Sequence, residues 1–115
     1  MEREYKGTIV EESLEDNRIL NGVEIVGFRI SKNENPQDRW HLYTVKVSKE
    51  DIKKISKYIK LGKWYMHFWK DKDVFAVFKN KVFGFKYDNK STWKDAVEYG
   101  LSLGIPKEQL DFVIE

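Results

Sequence analysis

The stretch Gly62–Phe85, GKWYMHFWKDKDVFAVFKNKVFGF, decides how the chain folds. Three ring-rich runs are separated by KDKD and by Asn80-Lys81, breaks short enough for tight hairpins. The pattern predicts a meander of strands over Lys63–Lys70, Asp73–Lys79 and Val82–Tyr87. Alternate residues of a strand face opposite sides of its sheet. Trp64, Met66 and Phe68 then share one side, and Tyr65, His67 and Trp69 the other. The next run sets Val74, Ala76 and Phe78 against Phe75 and Val77. An antiparallel sheet with one wet face alternates apolar with polar. These two runs do not alternate, so both of their faces need cover.

The flanking segments supply the remaining elements. Towards the C-terminus, Ser91 is an N-cap for a helix ending near Leu103, lined by Trp93, Ala96, Val97, Gly100 and Leu101. Gly104 ends it and Pro106 prevents its resumption. PKEQL adds one short turn, and the tail DFVIE docks or adds an edge strand. Towards the N-terminus, Ile52, Ile55 and Ile59 recur at helical spacing over Lys49–Lys60, with Ser48 and Asp51 as a capping pair. Arg39–Val47, RWHLYTVKV, alternates as a strand. Before it, KNENPQDR is a loop, because Pro36 lacks a donor and holds Asn35 extended. GVEIVGFRIS reads as a strand with Val26, Phe28 and Ile30 on one side. Asn21-Gly22 is a hairpin signal joining it to a first strand over Tyr5–Leu14.

The predicted order is βββα-βββα in a single domain over residues 1–115. The fold class is α+β: a curved, mainly antiparallel sheet of about six strands with two helices on one face. Helices roughly 10 Å across cover about four strands spaced roughly 4.8 Å, on that face only. The second face is left to curling of the sheet, a second copy of the chain, or a bound ligand. A bare face is disfavoured, because monomers rarely expose apolar patches beyond a few hundred Å2.

Composition narrows the function classes. With 41% hydrophobic and 35% charged residues the chain reads as globular rather than disordered. It has no cysteine, which excludes disulfides and thiolate chemistry and fits a reducing cytoplasm. MEREYKGTIV lacks the apolar run of a signal peptide, and no segment has the roughly 18 apolar residues of a membrane span, so the expectation is cytoplasmic with no membrane partner. The net charge of +2 is unevenly spread. Residues 36–72 carry ten basic and four acidic side chains, whereas residues 1–35 carry five and eight.

No motif specific for an enzyme is present. Two histidines without thiols or HxH spacing do not make a zinc site. Glycine-rich phosphate loops are absent, and no cofactor is expected. The serines fall at caps, turns and helix surfaces. His41 shares a strand face with Tyr43, and His67 with Tyr65 and Trp69. If their strands are close, Asp38 or Asp71 would be the carboxylate partner of a histidine base.

The sequence thus points to a small cytosolic binding or interaction protein, self-associating as a homodimer through the aromatic second face. Its candidate residues are Trp40, His41, Tyr43, Tyr65, His67 and Trp69. The alternative is a single-stranded nucleic-acid binder using the same rings with Lys49, Lys53 and Lys57. A small-molecule ligand groove and a histidine-dependent enzyme are the remaining readings.

Overall fold

The computed structural model describes residues 2–112 and 114. Six strands form one sheet: β1 (Tyr5–Val10), β2 (Glu24–Ile30), β3 (His41–Val47), β4 (Met66–Lys70), β5 (Asp73–Phe78) and β6 (Lys81–Lys86). Helix α1 (Lys49–Lys57) follows β3, and α2 (Lys94–Ser102) follows β6. The chain order is the expected βββα-βββα and the class is α+β, with every strand pair antiparallel.

The strand order departs from a simple meander. It runs β2-β3-β1-β4-β5-β6, so the first strand lies in the middle and joins a β2–β3 hairpin to the β4–β6 meander. Asn21-Gly22 is not a hairpin turn. Asn17–Gly22 is a 3-10 segment whose first turn is capped by Asp16, with the Arg18 N–H donating to its side chain. This route buries Leu14 and Leu20 in the core. The expected strand end at Leu14 is likewise a 3-10 turn over Glu11–Ser13, with Leu14 bridging to Ile59.

The helices lie on opposite faces, not on one. Tyr5, Gly7 and Ile9 oppose Val47, Val45 and Tyr43, and Gly7 opposes Phe68. On that side Tyr5, Ile9, Val45, Val47, Met66, Phe68 and Val77 pack with Ile52 and Ile55 of α1 and with Ile59 beyond it. The other face of β4–β6 presents Val74, Ala76, Phe78 and Phe85, which pack with Trp93 and Ala96 and with Ile105, Leu110 and Phe112 of the tail. The two-sided apolar character of β4 and β5 is thereby explained within one chain. Neither a second copy nor a ligand is needed over those strands.

Local chemistry fixes the ends. Ser48 and Asp51 form a reciprocal capping box, in which the Asp51 N–H donates to the Ser48 hydroxyl and the Ser48 N–H to the Asp51 carboxylate. Asn89, rather than Ser91, caps the 3-10 turn Lys90–Trp93 that leads into α2. Asp71 and Asn80 take the left-handed conformation in the two hairpin turns. A bulge between Ile25 and Gly27 changes the parity of β2, so Ile25, not Val26, shares a side with Phe28 and Ile30. The tail docks through buried Phe112; Val113 and Glu115 of the predicted DFVIE element lie outside the described residues.

Candidate binding face

The six predicted site residues fall into separate groups, because β1 intervenes between β3 and β4. His41 and Tyr43 share the α1 side of the sheet with Ile9, whereas Trp69 lies opposite Lys6 on the α2 side, with His67 in the same parity. The two histidines therefore do not converge. Trp40 precedes β3 at the sheet end, where its exposed ring packs on Trp64 at 5.6 Å between centroids. Lys49, Lys53 and Lys57 belong to α1, across the sheet from Tyr65, His67 and Trp69, so they do not adjoin those rings.

His41 meets neither Asp38 nor Asp71 but Glu12. Its Nδ1 lies 2.6 Å from Glu12 Oε2, and its backbone N–H donates to Oε1 at 2.9 Å. The hydrogen bond to Glu12 raises the His41 pKa above its ordinary value. Partial burial pushes Glu12 up, but the hydrogen bonds from His41 outweigh it and the carboxyl is lowered overall. Tyr43 donates to Glu11 at 2.8 Å, and that bond raises the phenol. Phe28 leans on both rings, 6.1 Å from His41 and 5.0 Å from Tyr43. This is a carboxylate-tied histidine at the exposed N-terminal end of β3.

Tyr65, His67 and Trp69 form a wall on the α2 side. His67 lies 6.5 Å from the Tyr65 ring, 5.3 Å from Trp69 and 5.9 Å from Phe112. The Tyr65 hydroxyl donates to the Gln109 carbonyl, and burial pushes its pKa up to about 12. A phenol held there is a fixed hydrogen-bonding ring, not a proton donor near neutrality.

Beside this wall the sheet lies open. Over β5 and β6, Val74, Ala76, Phe78 and Phe85 are buried beneath α2 and the tail. Over β1 and β3 the same face presents Lys6, Thr8 and Val10 beside Lys46, Thr44 and Leu42, none of them buried. β2 adds Glu24, Gly27 and Arg29 to this face. A cleft of about 380 Å3 marks the step, lined by Thr8, Val10, Tyr65, His67, Trp69 and Gln109 among others.

The charge on this half-face is one-sided. Lys6 stands directly opposite Lys46, with Trp69 as its other cross-strand neighbour. Like charges directly opposite on a sheet are destabilising. Neither lysine, nor Arg29, forms an ion pair with another described residue. Glu24, opposite Lys46, is the one acid that this register places there among the described residues. The signal for these residues was present in the alternating YKGTIV and HLYTVKV; what was missing was the strand order that joins them to Trp69.

A larger cleft, about 630 Å3, separates the Asn17–Gly22 segment from α1. Its rim mixes both signs, with Arg18 already tied to Asp16 at 2.7 Å and Asp51 engaged by Arg3. Among the described residues no cluster of His, Asp or Glu is arranged to hold a metal ion, and no helix is long and apolar enough to cross a membrane. No protein-family model, curated protein or solved structure matches the chain.

Proposed function

We propose that the chain is a cytoplasmic binding protein whose ligand is single-stranded nucleic acid, held on the open half of the sheet. The observation that carries this reading is the step in cover: the α2-side face is sealed over β5 and β6 and open over β1 and β3. Sequence-tolerant single-strand sites combine a cationic track for the backbone with aromatic surfaces on which bases stack. Here Lys6, Lys46 and Arg29 supply the track, and Trp69 with His67 and Tyr65 supplies the rings. A polyanion also accounts for the opposed Lys6 and Lys46, whose repulsion it would neutralise.

The lysines of α1 are not part of this surface. Self-association is not needed to cover β5 and β6, because α2 and the tail pack on Val74, Ala76, Phe78 and Phe85 and leave Tyr65 and Trp69 partly buried at the margin. The reading is tested by anisotropy of a labelled oligo-dT across a salt series. Affinity should fall steeply with salt, with a log–log slope of about −0.7 for each phosphate neutralised. Lys46→Glu should flatten that slope, and Trp69→Ala should weaken binding by about 1–3 kcal/mol. Absence of binding, or binding indifferent to salt and to both substitutions, would sink the reading.

A further inference from the structure

β2 stands at the end of the sheet, so one row of its backbone N–H and C=O groups has no strand neighbour among the described residues. Such an edge is a template for another strand, and proteins blunt it with proline, lysine, short length or inward-pointing charge. EIVGFRI has seven residues, no proline and no lysine. Ile25, Phe28 and Ile30, which share a side, are 46%, 54% and 42% exposed, and Val26 in the bulge is 47% exposed, so apolar exposure is clustered on this edge rather than scattered. On the α1 side, Phe28 extends this cluster inward to Tyr43 and His41.

We infer that β2 is a self-association edge, pairing antiparallel with β2 of a second copy about a two-fold axis normal to the sheet. A two-fold interface must be self-complementary. The bulge makes it so. In a regular strand Glu24 and Arg29 would face opposite sides, but the irregularity between Ile25 and Gly27 brings both to the open face, opposite Lys46 and Leu42. Setting Glu24 of one copy against Arg29 of the other forms two reciprocal ion pairs there. The same register sets Ile25 against Phe28 twice on the other face. Neither Glu24 nor Arg29 has an ion-pair partner within the described residues, so both are available. This inference stands on β2 and shares only Arg29 with the nucleic-acid reading, whose track would then rest on Lys6 and Lys46.

The test is sedimentation equilibrium of the full chain across a dilution series. The expected mass is twice 13.8 kDa, falling to one chain on dilution. Phe28→Lys should raise the dimer dissociation constant by at least about tenfold. Glu24→Arg and Arg29→Glu should each weaken the dimer, and combining them should restore it. A single-chain mass at every concentration overturns the proposal, as does a dimer indifferent to all these changes. Because the chain has no cysteine, Glu24→Cys with Arg29→Cys gives an independent readout. Oxidation should yield a covalent dimer, and a dimer that resists this crosslink overturns the register. Positions 24 and 29 are exposed, so these variants carry the test should Phe28→Lys fail to fold.

Discussion

Gly7 shows how one residue holds the two halves of the sheet together. A Cβ built there would lie 2.5 Å from both the His67 carbonyl oxygen and Phe68 Cδ1, so the Phe68 ring needs a bare backbone beneath it. Gly7→Ala should destabilise the fold by about 1–3 kcal/mol in urea denaturation. Gly22→Ala is the control: a Cβ there meets nothing within 4 Å, and its stability should be unchanged. The second residue-scale prediction concerns pH. In the unfolded chain His41 titrates near about 6.5, and in the fold Glu12 holds its proton to higher pH. The pair's contribution is thus complete below that unfolded value on the histidine side and disappears as pH rises through the raised folded value. On the Glu12 side it is present above the unfolded carboxylate pKa and disappears as pH falls through the lowered one. Glu12→Gln should return His41 towards its ordinary midpoint in an NMR titration; identical midpoints in the two proteins would show that the pair does not operate in solution.

At the scale of elements, the two helices were legible in the sequence because their signals are local. Isoleucines at helical spacing and the Ser48–Asp51 capping box define α1, and Ser48→Ala should cost about 1 kcal/mol of stability. The β4–β6 meander was legible for the same reason, since short turns force neighbours together. Asn21-Gly22 misled because its turn preference competes with burial of Leu20 and with the cap made by Asp16, and these prevailed. The bulge in β2 is marked only by Gly27 within the strand pattern, a signal that does not say which residue is extra, and reading the strand as regular misassigned the parity of Ile25. The tail illustrates a different limit: DFVIE is too short to declare its partner, yet Phe112 packs against Tyr65, His67, Phe85 and Trp93. Phe112→Ala should destabilise by about 3–5 kcal/mol and shift tryptophan emission to the red as the wall opens. Unchanged stability would mean that the tail does not seal that face.

For the whole molecule, the decisive fact is the insertion of β1 between β3 and β4, a long-range pairing that periodicity does not encode. It separates the predicted aromatic residues onto opposite faces, sends the α1 lysines away from Tyr65, His67 and Trp69, and joins Lys6 and Lys46 to Trp69 instead. The candidate site was therefore half legible: the rings of β4 could be named, but the surface completing them could not. Opposed lysines on an open face set stability against binding. Lys6→Glu should leave the fold as stable or stabilise it by about 0.2–1 kcal/mol, through attraction to Lys46, while weakening oligonucleotide binding. Loss of stability with unchanged binding would assign Lys6 a structural role. The central claim is that the open half-face is the binding surface, and it is tested most directly by titrating isotope-labelled protein with oligo-dT and mapping the backbone amide shifts. The account predicts shifts concentrated on Lys6, Thr8, Thr44, Lys46 and Trp69, and shifts confined to Lys49, Lys53 and Lys57 of α1, or none at all, would contradict it.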